Sequence, residues 1–354
     1  MKLNVIWFDS MGAKSSCILV ETRSVNVLID PGAAVMQPSY PLPKTEKIKL
    51  LKNAVKEIEK ASKKADVIVI THYHYDHHFK PSNPHLSNPT LIYDRKRILI
   101  KNPNEWINFS QFKRARAFIE ELANLKGIDL KEIYEEAKAG DYDDPVENLT
   151  HALSMDFGDY AKRREELLKK GRRFFDNLTK IWRKGPWIKD KLKLGDIGIE
   201  FADSREFKFG NVVIRFSNPL FHGIEYDRTG WVLSVFIRDG KDSILYTSDL
   251  MGPQIEDYAD MIISMKPKKL ILDGPPIYLF PYMLNRINLN RAVENAKRII
   301  KESKAEFIIY DHHLMREKGY MRYVGDVFRE ARKEGVKLIA ASETKGEKPL
   351  IDRI

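Results

Sequence analysis

The sequence predicts a mixed α/β (α+β) fold. Short apolar, β-branched runs such as Val67-Ile68-Val69-Ile70 have the length and composition of buried strands. Between such runs lie longer stretches with apolar residues three and four apart, for example Ile48, Leu51, Val55 and Ile58, which is the period of an amphipathic helix. A third observation places the chemistry: the string Thr71-His72-Tyr73-His74-Tyr75-Asp76-His77-His78 leaves the end of a predicted strand. A chain of 354 residues can bury a sizeable core as one large domain or two smaller ones.

Taken in order, Lys2–Phe8 reads as a first strand and Asp9–Ser16 as a polar turn. Cys17–Glu21 and Val25–Ile29 pair as a hairpin that closes on Asp30-Pro31-Gly32, a strong turn sequence. Residues 33–45, with three prolines, form an irregular loop before a helix over Lys47–Lys64. The strand Asp66–Ile70 and the histidine string follow. Phe79–Pro89 is a loop, and its His85 is expected at the surface. Leu91–Ile100 is a strand or hairpin; Asn104–Leu125 and Leu130–Ala139 are helical; Gly140–Pro145 breaks the pattern, with Asp141, Asp143 and Asp144 as a solvated turn.

Tyr160–Lys184 reads as a basic helix, or two helices interrupted at Gly171. Residues 162–193 carry 13 Lys/Arg against 4 Asp/Glu, which is nearly the whole net charge of +10. Phe174, Phe175, Trp182 and Trp187 interleave with those charges. They either form a stacking face for a single-stranded nucleic acid or pack on the core while the cations reach into water. Further strands are expected at Asn211–Phe216, Gly230–Ile237, Ser243–Thr247, Lys269–Leu272, Ala305–Tyr310 and Val336–Ala341. A helix is expected at Asn290–Ser303, with Asn290 as its N-cap.

Composition narrows the class. The single cysteine, Cys17, excludes internal disulfides and any multi-cysteine zinc site. Asp9 interrupts the N-terminal apolar run before a signal peptide can form, and no run approaches the ~18 apolar residues of a membrane span. The expectation is a cytoplasmic protein without membrane contact. Only three glutamines in a Lys/Glu-rich chain point to a thermophile. A basic balance suits an anionic partner.

The spacing of the histidine string suits a metal. His72 and His74 are two apart and project to one side of extended backbone; Asp76 and His77 follow as the chain turns. Imidazole with carboxylate suits Zn, Fe, Ni or Mn. The pattern His-x-His-x-Asp-His after an apolar strand resembles the signature of the metallo-β-lactamase superfamily, and the full string Thr71–Phe79 resembles an archaeal group within it.

That resemblance implies an αββα sandwich formed by residues 1–354 as one domain, with a metal site at one edge. Residues 90–205 fall outside the family motifs and are expected as a basic, mainly helical insertion, a cap or an arm. The resemblance also implies the ligands. His72, His74 and His222 would surround one cation; Asp76, His77 and either His312 or His313 would surround a second; Asp249 would lie between. In extended backbone only one of the two adjacent histidines faces the metals. Asp30 matches an aspartate that braces the ligand loop, and Asp273, which leaves a neighbouring strand, is a second supporting carboxylate.

The cofactor expected is a pair of divalent ions, zinc first, with manganese or iron as alternatives. The reaction expected is hydrolysis by a metal-bound hydroxide, with Asp76 orienting the nucleophile and the remaining histidine of His312 and His313, or Arg316, donating to developing charge. The substrate expected is a phosphodiester or another anion, including nucleic acid gripped by segment 162–193. Hydrolysis of a small ester, thioester or lactone is the alternative. A nucleic-acid or protein binding module with a structural metal is the other.

Overall fold

The structure, a computed structural model, describes residues 1–138 and 140–354. Two seven-stranded sheets face each other. The first runs in the order Lys2–Phe8, Ser16–Glu21, Asn26–Ile29, Val67–Ile70, Arg97–Ile100, Ile197–Phe201, Leu192–Leu194. The second runs Glu206–Phe209, Val212–Phe216, Val235–Asp239, Asp242–Tyr246, Lys269–Asp273, Phe307–Asp311, Lys337–Ile339. Each sheet begins with antiparallel strands and continues into parallel ones. The two sheets share this plan without a sequence repeat, and the first closes on one further antiparallel pair, Ile197–Phe201 with Leu192–Leu194.

Strand alternation builds the layers. Ile18, Val20, Val27, Ile29, Val67 and Val69 of the first sheet meet Val212, Ile214, Val235, Ile237, Ile244 and Ile271 of the second in one buried cluster. The intervening residues, such as Leu19, Leu28, Ile68, Ile70, Leu245, Leu270 and Ile308, point outward and pack with buried residues of the helices. Lys44–Ser62 covers the first sheet through Leu51, Ala54, Val55 and Ile58, the period expected of it. Glu256–Met265, Arg286–Glu302 and Met321–Lys333 pack around the second. The expected αββα sandwich is therefore present.

Several boundaries differ from the sequence reading. Residues 90–205 are not wholly an insertion: Arg97–Ile100 and Ile197–Phe201 pair in parallel inside the first sheet, so the helical excursion lies between them. Only Leu130–Ile133 of the helix expected to Ala139 is helical, before the short strand Tyr134–Glu135; Ala139 itself lies outside the described residues. Gly230–Ile237 splits into Trp231–Val232 and Val235–Asp239. The helix begun at Asn290 in the reading instead starts at Arg286, because Asn285 accepts from the backbone of Asn288 and caps it.

Ala161–Lys184 is one continuous helix. Gly171 does not interrupt it; a Cβ there would lie 2.4 Å from the ring of Tyr226, so the glycine is where that ring lodges. Phe175, Trp182 and Trp187 are buried, with Trp106, Tyr226 and Trp231 around the first two. Phe174 stays half-buried, whereas the other three rings offer no stacking face. They are core, and the cations Lys162, Lys170, Arg173 and Lys184 remain exposed with no carboxylate partner among the described residues. Asp144 is also more than a solvated turn: it pairs with Arg172 at 2.6 Å and accepts from Tyr226.

Candidate metal centre

Every residue of the centre leaves the carboxyl end of a strand or the loop behind one. Asp30 follows Asn26–Ile29, the histidine string follows Val67–Ile70, and His222 follows Leu220–Phe221. Asp249 follows Asp242–Tyr246, Asp273 ends its strand, and His312 and His313 follow Phe307–Asp311. Ligand sites of open α/β sheets lie at such strand ends. Here the strand ends of both sheets meet at one edge.

The backbone is bent to do this. Asp30, Ser248, Met251 and His312 all have positive φ, at 49°, 57°, 50° and 54°. Left-handed backbone at non-glycine residues costs of order 1–3 kcal/mol each and concentrates at functional sites. At His312 it has a direct consequence. The chain is not extended there but enters a short 3-10 turn, His312–Arg316, and both histidines turn toward the centre. The expectation that only one of them could face it is overturned.

The side chains form two linked groups. Ligand-type atoms of His72, His74, His222 and Asp249 lie within 4.8 Å of one another, as do those of Asp76, His77 and His312. Asp249 joins them: Oδ2 is 3.5 Å from His72 Nε2, 3.2 Å from His222 Nε2 and 3.1 Å from His77 Nε2, while Oδ1 is 3.4 Å from His312 Nε2. The ligand-type atoms of Asp249, His312 and His313 also lie within 4.8 Å of one another. His313 Nδ1 is 2.9 Å from Asp273 and its Nε2 is 3.9 Å from Asp249. His85 belongs to neither group. His78 is buried against Tyr73 and Phe118, with Nδ1 on the His74 carbonyl at 3.0 Å.

A supporting shell fixes the rings. Asp30 accepts from Thr71 N at 2.8 Å, from Thr71 Oγ1 at 2.6 Å and from Tyr246 Oη at 2.8 Å, and lies 2.8 Å from His77 Nδ1. That contact turns His77 Nε2 toward Asp249, as the bracing role expected of Asp30 requires. Asp273 does the same for His313 and also accepts from Met251 N at 2.7 Å. Asp9, read from sequence as part of a polar turn, is buried and holds His312 Nδ1 at 3.2 Å and the Arg316 Nε. Arg316 contacts Asp9, Asp76 at 3.2 Å and Tyr278 Oη at 3.3 Å. One signal marked Asp9: like Asp30, Asp273 and Asp311, it stands at a strand exit.

The electrostatics follow from burial and crowding. Burial pushes His72 and His74 well below the ordinary histidine range, which leaves neutral imidazoles, the form that can ligate a metal. Burial would lower His77 too, but Asp249 and Asp30 outweigh it and push it up to about 10. Burial would raise Asp249 and Asp76, yet the flanking imidazoles, and Arg316 beside Asp76, hold both carboxyls well below the usual range. Asp273 is raised to about 8, by burial and by the charge of Asp249.

The donor set fits a metal. His77 Nε2, both ring nitrogens of His222 and Asp249 Oδ1 are buried without hydrogen-bond partners. Buried polar atoms are seldom left so. A divalent cation is the group that satisfies imidazole lone pairs and a carboxylate oxygen together.

Residues 12–79, the segment that ends on the histidine string, match the family model described as "Metallo-beta-lactamase superfamily". A UPF0282 protein of Korarchaeum cryptofilum is 30% identical over 351 residues, covering 99% of this chain and 91% of that protein. A UPF0282 protein of Metallosphaera sedula is 32% identical over 352 residues, covering 99% and 89%. Among solved structures, the metallo-beta-lactamase fold protein YhfI from Bacillus subtilis aligns over 96% of this chain and 95% of its own, at 15% identity and a TM-score of 0.41. The chain belongs to the UPF0282 family of archaeal proteins, and its fold is that of the metallo-β-lactamase superfamily.

Proposed function

We propose that this protein is a metal-dependent hydrolase of a phosphodiester or another anionic substrate, working with two divalent cations, zinc first. The metallo-β-lactamase superfamily consists mostly of metal-dependent hydrolases, and its fold typically binds divalent metals. The observation that carries the reading is the pair of buried ligand groups joined by Asp249, with unsatisfied nitrogen and oxygen atoms turned inward.

In this reading His72, His74 and His222 would hold one cation and Asp76, His77 and His312 the other, with Asp249 between the two groups. Bound there, such a pair supplies a nucleophile from water at neutral pH and polarises the bond under attack. The residues do the rest. Asp76, fixed by Arg316 through one oxygen, orients the attacking water. His313 passes the proton on its Nε2 to the leaving group as Asp273, whose buried carboxyl is raised to about 8, gives its own proton to His313 Nδ1. His312 Nδ1 stays on Asp9, which turns its Nε2 inward.

Support for an anionic substrate comes from the unpaired cations of Ala161–Lys184 and the net charge of +10. The buried aromatics of that helix give a single strand nothing to stack on, and this favours a small ester, thioester or lactone as the second reading. Hydrolysis of bis(p-nitrophenyl) phosphate before and after chelation tests the choice. Turnover that chelator abolishes and zinc restores is expected. A metal-loaded protein that cleaves only carboxylic esters or thioesters contradicts the phosphodiester reading. A protein that turns over neither, yet binds nucleic acid equally well as His72→Ala, is a binding module.

A further inference from the structure

The centre is sealed on most sides. His72, His77, His222, Asp249 and His312 are at most 1% exposed, whereas His74 and Asp76 keep part of their surface. A substrate therefore enters past these two residues. Tyr75 stands between them, and it is 41% exposed. Over its ring lies Arg114, with the guanidinium carbon 4.7 Å from the ring centroid.

A rigid element holds Arg114 in place. It belongs to the helix Phe109–Leu125, which Asn108 caps. Gln111, three residues earlier, is buried; its Oε1 accepts from Tyr73 N at 3.0 Å and its Nε2 donates to the Thr229 carbonyl at 2.6 Å. Asn108 donates to the Arg228 carbonyl at 2.7 Å. Phe118, one turn beyond Arg114, sets its ring 5.4 Å from that of His78. Positions 111, 114 and 118 share one helix face. The face that carries Arg114 is thus the one laid against the histidine loop, and the helix is tied to the segment that follows His222 as well.

Arg114 is half-buried and makes no ion pair or side-chain hydrogen bond among the described residues. The contrast with its neighbours is clear. Arg116 donates to the carbonyls of Pro103 and Pro186, and Arg316 is consumed by Asp9 and Asp76. A guanidinium braced on an aromatic face with its donors unspent matches the geometry of a phosphate or carboxylate.

We propose that Arg114, braced on Tyr75, is a binding site for a phosphate group that flanks the scissile bond of the substrate. The inference rests on reading the centre as a hydrolase of anionic substrates. It adds a specificity residue at the mouth of that centre. A substrate with a phosphate beside its reacting group gains affinity here, and one without it does not.

The test uses metal-loaded protein and two diadenylates, pApAp with both ends phosphorylated and ApA with neither. Dissociation constants are measured by calorimetry alongside kcat and KM. The wild type is expected to bind pApAp about tenfold more tightly than ApA, with the preference expressed in KM. Arg114→Gln should collapse that ratio toward one, and Arg114→Lys should restore part of it. Tripolyphosphate serves as a third ligand. Loss of its binding in Arg114→Gln marks phosphate alone as the group recognised, and loss confined to pApAp marks a nucleotide substrate. A wild type that binds pApAp no more tightly than ApA, or an Arg114→Gln ratio equal to that of wild type, overturns the proposal. If wild type cleaves neither diadenylate, the phosphodiesterase reading fails, while the binding ratio still decides the role of Arg114.

Discussion

His312 and His313 are neighbours with separate partners, and the positive φ at His312 turns both rings inward. His312 Nδ1 is tied to Asp9 and its Nε2 faces Asp76 and Asp249; His313 is tied to Asp273. Their substitutions should therefore separate. His312→Ala is expected to lower metal content toward one ion per chain. His313→Ala should keep both ions but lower kcat by about a hundredfold or more, the range of a lost proton donor. Elemental analysis paired with turnover reads the difference. At this scale Asp30 and His72 through His77 were legible because a strand exit with metal-type residues is a local pattern. Asp9 shares the strand-exit position but reads as a plain polar turn, because its partners His312 and Arg316 lie about 300 residues away.

The turn Asp30-Pro31-Gly32 packs directly against the histidine loop. A Cβ on Gly32 would lie 2.2 Å from His78 N and 2.6 Å from His77 N, backbone atoms that cannot step aside cheaply. Gly32→Ala should cost about 1–3 kcal/mol of stability or more, as overpacking does. It should also weaken metal binding, since the loop that moves carries the ligands. Denaturant unfolding with and without added metal checks both effects. Element types were readable where periodicity was strong, as for Lys44–Ser62. The helix Ala161–Lys184 was readable as a helix, but its aromatics fitted either a core or a stacking face. The choice is made by residues far away in sequence, Tyr226 lodging on Gly171 and Trp231 beside Trp182. The strand Arg97–Ile100 lies within a stretch readable as strand or hairpin, but its partner Ile197–Phe201 was hidden for a related reason: Arg97 pairs with Gly198 across the whole helical excursion.

Across the whole molecule, the helical excursion is bolted to the metal centre by a buried ion network. Arg164 of the long helix pairs with Glu225 at 2.8 Å, Glu225 with Arg291 at 2.9 Å, and Arg291 with Glu256 at 2.7 Å. Glu225 lies three residues beyond His222. Burial would raise its pKa, but Arg291 and Arg164 outweigh burial and lower it. A depressed carboxyl adds stability that is complete above its unfolded value of ~4.3 and disappears as pH falls through the lower folded value. Melting across the acid range should show that loss below pH ~4.3. Glu225→Gln should lower the neutral plateau by about 3 kcal/mol, as breaking a buried pair does, and flatten the acid limb. A variant with the wild-type acid limb would show that this network does not link the excursion to the fold. No helix among the described residues is long and apolar enough to cross a membrane. The strand-by-strand pairing of the two halves was invisible in the sequence, because shared topology needs no shared residues. Elemental analysis of the purified protein, set beside Asp249→Ala, is the measurement that bears most directly on the centre. Two divalent ions per chain, falling below one in Asp249→Ala, is the predicted result; no bound metal after incubation with zinc, manganese or iron would contradict it.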